Sequence, residues 1–248
     1  MSNKCLTPKE TAQFITDLSY RKSDMNFNQK VFLSIMAGIY IALGSQAFVT
    51  VYNNQFLRAA VFPVGLMLIV VVGGELFTGN NLMTLGLIRK KFSFSDYFYS
   101  LLTVYFGNLI GSLFIVFIIY FSGIYNSSAL ANIIVNIAKV KTSMSFVQAL
   151  FKGILCNIIV VLAVWMSISA KDIISKILAC WFPIMLFVLS GYEHCVANMF
   201  FIPLGILLNS NVTVSEMIFN NLLPVTLGNF IGGGIIVPVA YYCAYLKD

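Results

Sequence analysis

Apolar residues fall into long runs separated by short polar stretches, and about 20 apolar residues are needed to cross a bilayer as a helix. On that scale six spans are predicted: Val31 to Tyr52, Ala59 to Ile88, Tyr97 to Phe121, Phe146 to Ser169, Ile177 to Leu208 and Asn220 to Leu246. Two are irregular. The second run is too long for one straight crossing and contains Gly73-Gly74-Glu75 and Thr78-Gly79-Asn80-Asn81. The fifth is interrupted at Ser190-Gly-Tyr-Glu-His194. Helices 2 and 5 are therefore predicted to be broken.

The interruptions repeat. Glu75 and Asn80 match Glu193 and Asn198 in a Glu-x4-Asn spacing, and each pair is followed by an echo, Gly107-Asn108-Leu-Ile-Gly111 and Gly228-Asn229-Phe-Ile-Gly232. The landmarks fall in spans two and three, then five and six, so each half holds three spans. An odd number per half forces opposite orientations, and the predicted fold is all-α, integral to the membrane, with six transmembrane helices in an inverted 3+3 repeat. Backbone freed by a break is tolerated at membrane depth only where it is buried in protein or lines a cavity, which points to a pore between the halves.

Before the first span, Thr7, Pro8 and Glu10 read as an N-cap, a first helical residue and a capping-box partner. A short amphipathic helix on the membrane surface is expected there, with a cytosolic tail as the alternative. The expected organisation is residues 1–30 as N-terminal helix and tail, 31–246 as the channel domain and 247–248 as the C-terminus.

Composition agrees with a membrane chain: 59% hydrophobic, 10% charged, mean hydropathy +0.90. The net charge of +6 does not imply nucleic acid, because the basic residues lie between apolar spans and not in an aromatic-interleaved patch. The five cysteines show no metal-binding spacing, so no metal or cofactor is expected. No cleavable signal peptide is visible. Eleven Lys and Arg fall on the side of the termini and three (Arg58, Lys139, Lys141) on the other, so both termini are expected in the cytoplasm of a multi-pass cell-membrane protein. Lys152 lies inside the fourth span, where snorkelling to the outer surface is the simpler expectation.

Glu75 and Glu193 are the only acids inside apolar spans. The expected role is support of the breaks, each carboxylate accepting backbone N–H groups freed there, with Asn80, Asn198, Asn108 and Asn229 satisfying exposed backbone. His194 is the only histidine and sits in the second break, where imidazole can donate a hydrogen bond or a proton to an anion. Thr78, whose counterpart by the Glu-x4-Asn register is Val196, adds a hydroxyl. Phe62 and Leu66 lie one turn apart, packing residues unless a pore runs past them. Lys141 is placed to concentrate anions at a pore mouth.

Glu75-Leu-Phe-Thr-Gly-Asn80, Lys152-Gly-Ile-Leu-Cys-Asn157, Ala163-Val-Trp-Met166, Ser190-Gly-Tyr-Glu-His-Cys-Val-Ala-Asn-Met199 and Pro224-Val-Thr-Leu-Gly-Asn229 closely resemble the formate/nitrite transporter family. The resemblance implies an aquaporin-like fold and a homopentamer with one anion pore per subunit. It further implies His194 as central histidine, Thr78, Asn157 and Lys141 along the anion pathway, and apolar constrictions at Phe62, Leu66, Leu76 and Phe187. The Thr78-Gly79-Asn80 form of the first break is similar to the nitrite and hydrosulfide branches. The expected function is a channel for a small monovalent weak-acid anion, formate or nitrite, with a proton as candidate companion and hydrosulfide as the alternative substrate. An intramembrane enzyme is the rival from another class, but one histidine and no G-x-S-x-G leave it little equipment. A water or glycerol channel lacks its Asn-Pro-Ala pair here.

Overall fold

The computed structural model describes residues 5–247; Lys4 of the basic count and Asp248 of the C-terminus lie outside them. The chain is helical: α1 (Pro8–Ser23), α2 (Phe27–Thr50), α3 (Gln55–Val61), α4 (Val64–Val72), α5 (Phe77–Asn80), α6 (Thr84–Ile88), α7 (Phe94–Phe121), α8 (Ser128–Thr142), α9 (Phe146–Ser169), α10 (Ile173–Leu189), α11 (Cys195–Leu207), α12 (Val214–Glu216), α13 (Leu223–Phe230) and α14 (Val237–Tyr245). Among the described residues five helical stretches are long and apolar enough to cross a membrane, and α10 and α11 are shorter apolar helices that divide the fifth span.

Most spans start earlier than the apolar runs do, because their caps sit in the polar flanks. The side chain of Asn26 caps α2, Asn54 caps α3, Asp172 caps α10, and Ser93 and Thr213 form capping boxes with Asp96 and Glu216. The second span thus begins at Gln55, the fifth at Ile173 and the sixth at Val214. Ahead of the spans, α1 begins at the expected capping box of Thr7 and Glu10.

The connection between spans three and four is not a loop. It holds α8, an amphipathic helix that buries Ile134 and Ala138. Ile15, Ser19 and Lys22 of α1 stand 119 residues before Ile134, Ala138 and Lys141 of α8. Both helices pack on a glycine of the helix that follows a break, Ser19 against Gly86 and Ala138 against Gly205. Each half of the repeat is therefore one surface helix plus three spans.

Two vestibules fix the directions of the broken helices. One cavity, about 410 Å³, is lined by Leu18 and Lys22 of α1, Val70 at the end of α4 and Lys176 near the start of α10. The other, about 310 Å³, is lined by Lys141 of α8, Arg58 of α3 and Val188 at the end of α10. The α3–α4 segment runs from the α8 vestibule to the α1 vestibule, and α10 runs the opposite way, as an inverted repeat requires. Within each half the helices close tightly. A Cβ on Gly111 of α7 would overlap the carbonyl of Ile35 in α2, and one on Gly232, just after α13, that of Ile154 in α9, so backbones meet directly.

Candidate anion pore

Both breaks are built alike. Gly73 ends α4 at φ +106° and Gly191 follows α10 at φ +67°, conformations that strain any residue with a Cβ. The extended segment beyond is held by its neighbour helix, with the Glu75 N–H donating to the Leu33 carbonyl (3.1 Å) and the Glu193 N–H to that of Lys152 (3.3 Å). Leu76 and His194 are then the N-caps of α5 and α11.

The free amides of the restarting helices do not go to the glutamates, as the sequence reading expected. Phe77 N–H donates to Asn108 Oδ1 and Cys195 N–H to Asn229 Oδ1, each at 2.9 Å. The amide nitrogen of Asn108 donates to the carbonyls of Ser34 (2.7 Å) and Glu75 (2.9 Å), and that of Asn229 to Gly153 (2.8 Å) and Glu193 (2.9 Å). A neutral carboxamide both donates and accepts, so one side chain satisfies three backbone groups, which a carboxylate cannot.

The carboxylates have another use. Lys22 Nζ lies 2.7 Å from both oxygens of Glu75 and 2.8 Å from Asn80 Oδ1, and Asn80 donates to Glu75 at 2.6 Å. Lys141 Nζ lies 2.9 Å from both oxygens of Glu193, to which Asn198 donates at 2.7 Å. Each surface helix is thus pinned to a break by a half-buried ion pair. Lys22 had no assigned role in the sequence reading, although its spacing to Lys141 carried the signal. Lys141 lines its vestibule with its charge already paired.

Between the vestibules lies a chamber of about 10 Å³ walled by Ile41, Phe62, Leu66, Leu76, Val160, Ile184, Phe187 and His194. All four residues expected at constrictions meet here. Phe62 and Phe187 also line the α8 vestibule and lie edge to face with centroids 5.6 Å apart; Leu66 and Leu76 also line the α1 vestibule. Ile41, Val160 and Ile184 complete the wall, and nothing in their spacing set them apart from packing residues. His194 is the polar side chain in this wall, stacked on Phe187 at 6.0 Å. By the break register its counterpart is Leu76, so the polar centre arises where the two halves have diverged.

The hydrogen bonds of His194 assign its tautomer. Nδ1 accepts the Ala197 N–H at 3.1 Å, so in the neutral ring the proton is on Nε2, 2.9 Å from Thr78 Oγ1. Thr78 then keeps its own hydroxyl proton free to donate. Asn157 stands behind this pair: its Nδ2 donates to the Thr78 carbonyl (3.3 Å) and the Asn229 carbonyl (2.7 Å), tying the first break to α13.

A profile of the formate/nitrite transporter family matches residues 9–243. The chain belongs to that family. Within it, the chain is 37% identical to the probable formate transporter of Methanothermobacter thermautotrophicus, covering 100% of each chain. It is 32% identical to the formate channel FocA of Escherichia coli, covering 98% of this chain and 95% of the other. It is also 32% identical to the formate channel BtFdhC of Bacillus thuringiensis, covering 97% and 96%. Among solved structures it is similar to an FNT family ion channel (TM-score 0.88, 30% identity, 95% and 98% coverage). A pentameric formate channel with formate bound gives TM-score 0.80 at 33% identity, covering 89% and 98%. As a member of the formate/nitrite transporters the protein is a multi-pass membrane transport protein, and the enzyme alternative falls away with that assignment.

Proposed function

We propose that the protein is a channel for small monovalent weak-acid anions, formate foremost, with nitrite and hydrosulfide as the alternatives. The observation that carries this is the chamber: two vestibules separated by two apolar pairs and one histidine, which also lines the α8 vestibule. The names of the relatives favour formate over the nitrite and hydrosulfide branches that the Thr78-Gly79-Asn80 form resembles.

Removing a monovalent anion from water into an apolar ring costs several kcal/mol unless donors replace its hydration. His194 is the donor in the chamber wall, its Nε2–H resting on Thr78 Oγ1 until an anion takes it, with the fully buried Thr78 behind it. A neutral imidazole that surrendered its Nε2 proton would itself become an anion. Transfer of a proton from His194 therefore requires a second proton on Nδ1, at the cost of the Ala197 bond, whereas hydrogen-bond donation requires neither. The reading is a hydrogen-bonded passage, with protonation to the neutral acid as a slower parallel route. Phe62 and Phe187 on one side and Leu66 and Leu76 on the other exclude water and larger anions, and Asn157 positions Thr78.

Residues 31–246 form the channel domain in this reading, with 1–30 and 247–248 on the cytoplasmic side, so the α1 vestibule faces the cytoplasm. Five copies assemble with one pore each, by analogy with the pentameric relative. The experiment is swelling of proteoliposomes. Iso-osmotic formate should drive rapid swelling and a large anion such as gluconate should not; absence of swelling in formate, nitrite and hydrosulfide alike would refute the channel.

A further inference from the structure

The α8 vestibule is lined by three cations, Arg58, Lys141 and Lys152, and one acid, Glu193. Lys141 is neutralised by Glu193. Arg58 is folded onto Phe48, its Nε donating to the Phe48 carbonyl at 3.1 Å and its guanidinium carbon 3.9 Å from the ring centroid. Among the described residues the Lys152 ammonium has neither an ion-pair nor a hydrogen-bond partner. An unpaired charge within a membrane-spanning helix marks an ion pathway more often than a packing position.

The repeat supplies an internal control. Lys152 is the residue of α9 whose carbonyl receives the Glu193 N–H, and the residue of α2 in the same place, receiving the Glu75 N–H, is Leu33. Leu33 lines the α1 vestibule as Lys152 lines the other. Arg58 and Lys176 stand at matching places, as do the two Lys–Glu pairs, so Lys152 is a cation with no counterpart across the pseudo-symmetry.

We propose that Lys152, and not the ion-paired Lys141, is the anion-capture site of the α8 vestibule, holding a small monovalent anion there before it meets Phe62 and Phe187. The site makes the two mouths unlike at this one place, an ammonium in the α8 vestibule where the α1 vestibule has Leu33, beside the matched cations Arg58 and Lys176. This rests on the channel reading. The ammonium raises the local anion concentration without touching the chamber, so it acts on the concentration dependence of flux and fades as salt screens it.

The test is uptake of radiolabelled formate into proteoliposomes over a range of formate and salt concentrations. Lys152→Leu, which gives this place the residue its repeat counterpart carries, should raise the half-saturating formate concentration about tenfold at low ionic strength. The difference should shrink toward none near ~0.5 M salt, where the Debye length is only a few Å. Lys152→Arg should behave as the wild type, and Leu33→Lys should lower the half-saturating concentration. If Lys152→Leu fails to assemble, Lys152→Gln and Leu33→Lys carry the test by the same criteria. Wild-type half-saturation and salt response without the ammonium would overturn the proposal, as would an arginine variant as impaired as the leucine one. A wild type that carries no formate at any concentration would instead sink the channel reading.

Discussion

Asn229→Ala removes the side chain that closes the second break, and its cost follows from what it leaves unpaired. The side chain makes three bonds, to the Cys195 N–H and to the carbonyls of Gly153 and Glu193, all between 2.8 and 2.9 Å. Asn229 is fully buried, so no water replaces them. A buried group stripped of its partner costs roughly 1–3 kcal/mol, while measured hydrogen bonds between membrane helices average nearer ~0.6 kcal/mol. Three such losses amount to about 2–9 kcal/mol, a large share of the roughly 5–15 kcal/mol that typically holds a protein folded. Asn108→Ala, with the same three bonds at the first break, should cost about as much. Asn229→Asp keeps the acceptor for Cys195 but turns carboxylate oxygens toward two carbonyls, so it should rescue little. The assay is thermal unfolding of the detergent-solubilised protein followed by size exclusion, with Phe219→Ala, at an exposed position, as control. An Asn229→Ala protein as stable as that control would refute the claim that carboxamides, and not glutamates, close the breaks.

Leu76→Ala shortens the residue that stands in the wall at the α1 side of the chamber, and should raise formate flux or admit a larger anion such as acetate; an unchanged size cutoff in an assembled protein would reduce Leu76 to packing. Reporter fusions after Lys247 and near Ser127 should report cytoplasm and outside respectively, and the reverse result would invert the assignment of the vestibules. Native mass measurement in mild detergent should find five subunits, and a monomer with full flux would show the assembly is dispensable.

The fold was legible because its two signals are coarse. Apolar run length sets the spans, and Glu75-x4-Asn80 with Glu193-x4-Asn198 marks the breaks by putting charge where a membrane helix does not tolerate it. Helix starts were less legible, since caps such as Asn54 and Asp172 lie in polar flanks that hydropathy assigns to loops. Helix α8 was missed for a related reason: a surface helix that buries only Ile134, Ala138 and Thr142 carries no span-length signal. It shows in sequence only as the constant spacing of Ile15, Ser19 and Lys22 to Ile134, Ala138 and Lys141.

The site was legible in its members and less so in its pairings. His194 stood out by being alone and in a break, and Phe62, Leu66, Leu76 and Phe187 came from family resemblance; the structure gathers all five around one chamber. Which polar group meets which was not written in the spacing. Glutamate and asparagine both accept hydrogen bonds, and choosing between them needs the direction of approach. Asn108 and Asn229 come from the neighbouring span with a donor and an acceptor aligned to two strands of backbone, while Lys22 and Lys141 arrive from outside the membrane and take the carboxylates. For the same reason the spacing did not show that the charge of Lys141 is paired with Glu193.

The most direct test of the account is formate flux through reconstituted wild type, His194→Phe and His194→Asn as a function of pH, with assembly verified for each. Phenylalanine keeps a ring against Phe187 but removes both nitrogens, so His194→Phe should lose most of the flux at every pH. Asparagine keeps a donor without a titratable ring, so His194→Asn should retain conductance and flatten the pH profile. A His194→Phe protein with the flux and pH profile of the wild type would contradict the passage of anions by hydrogen-bond donation at this chamber.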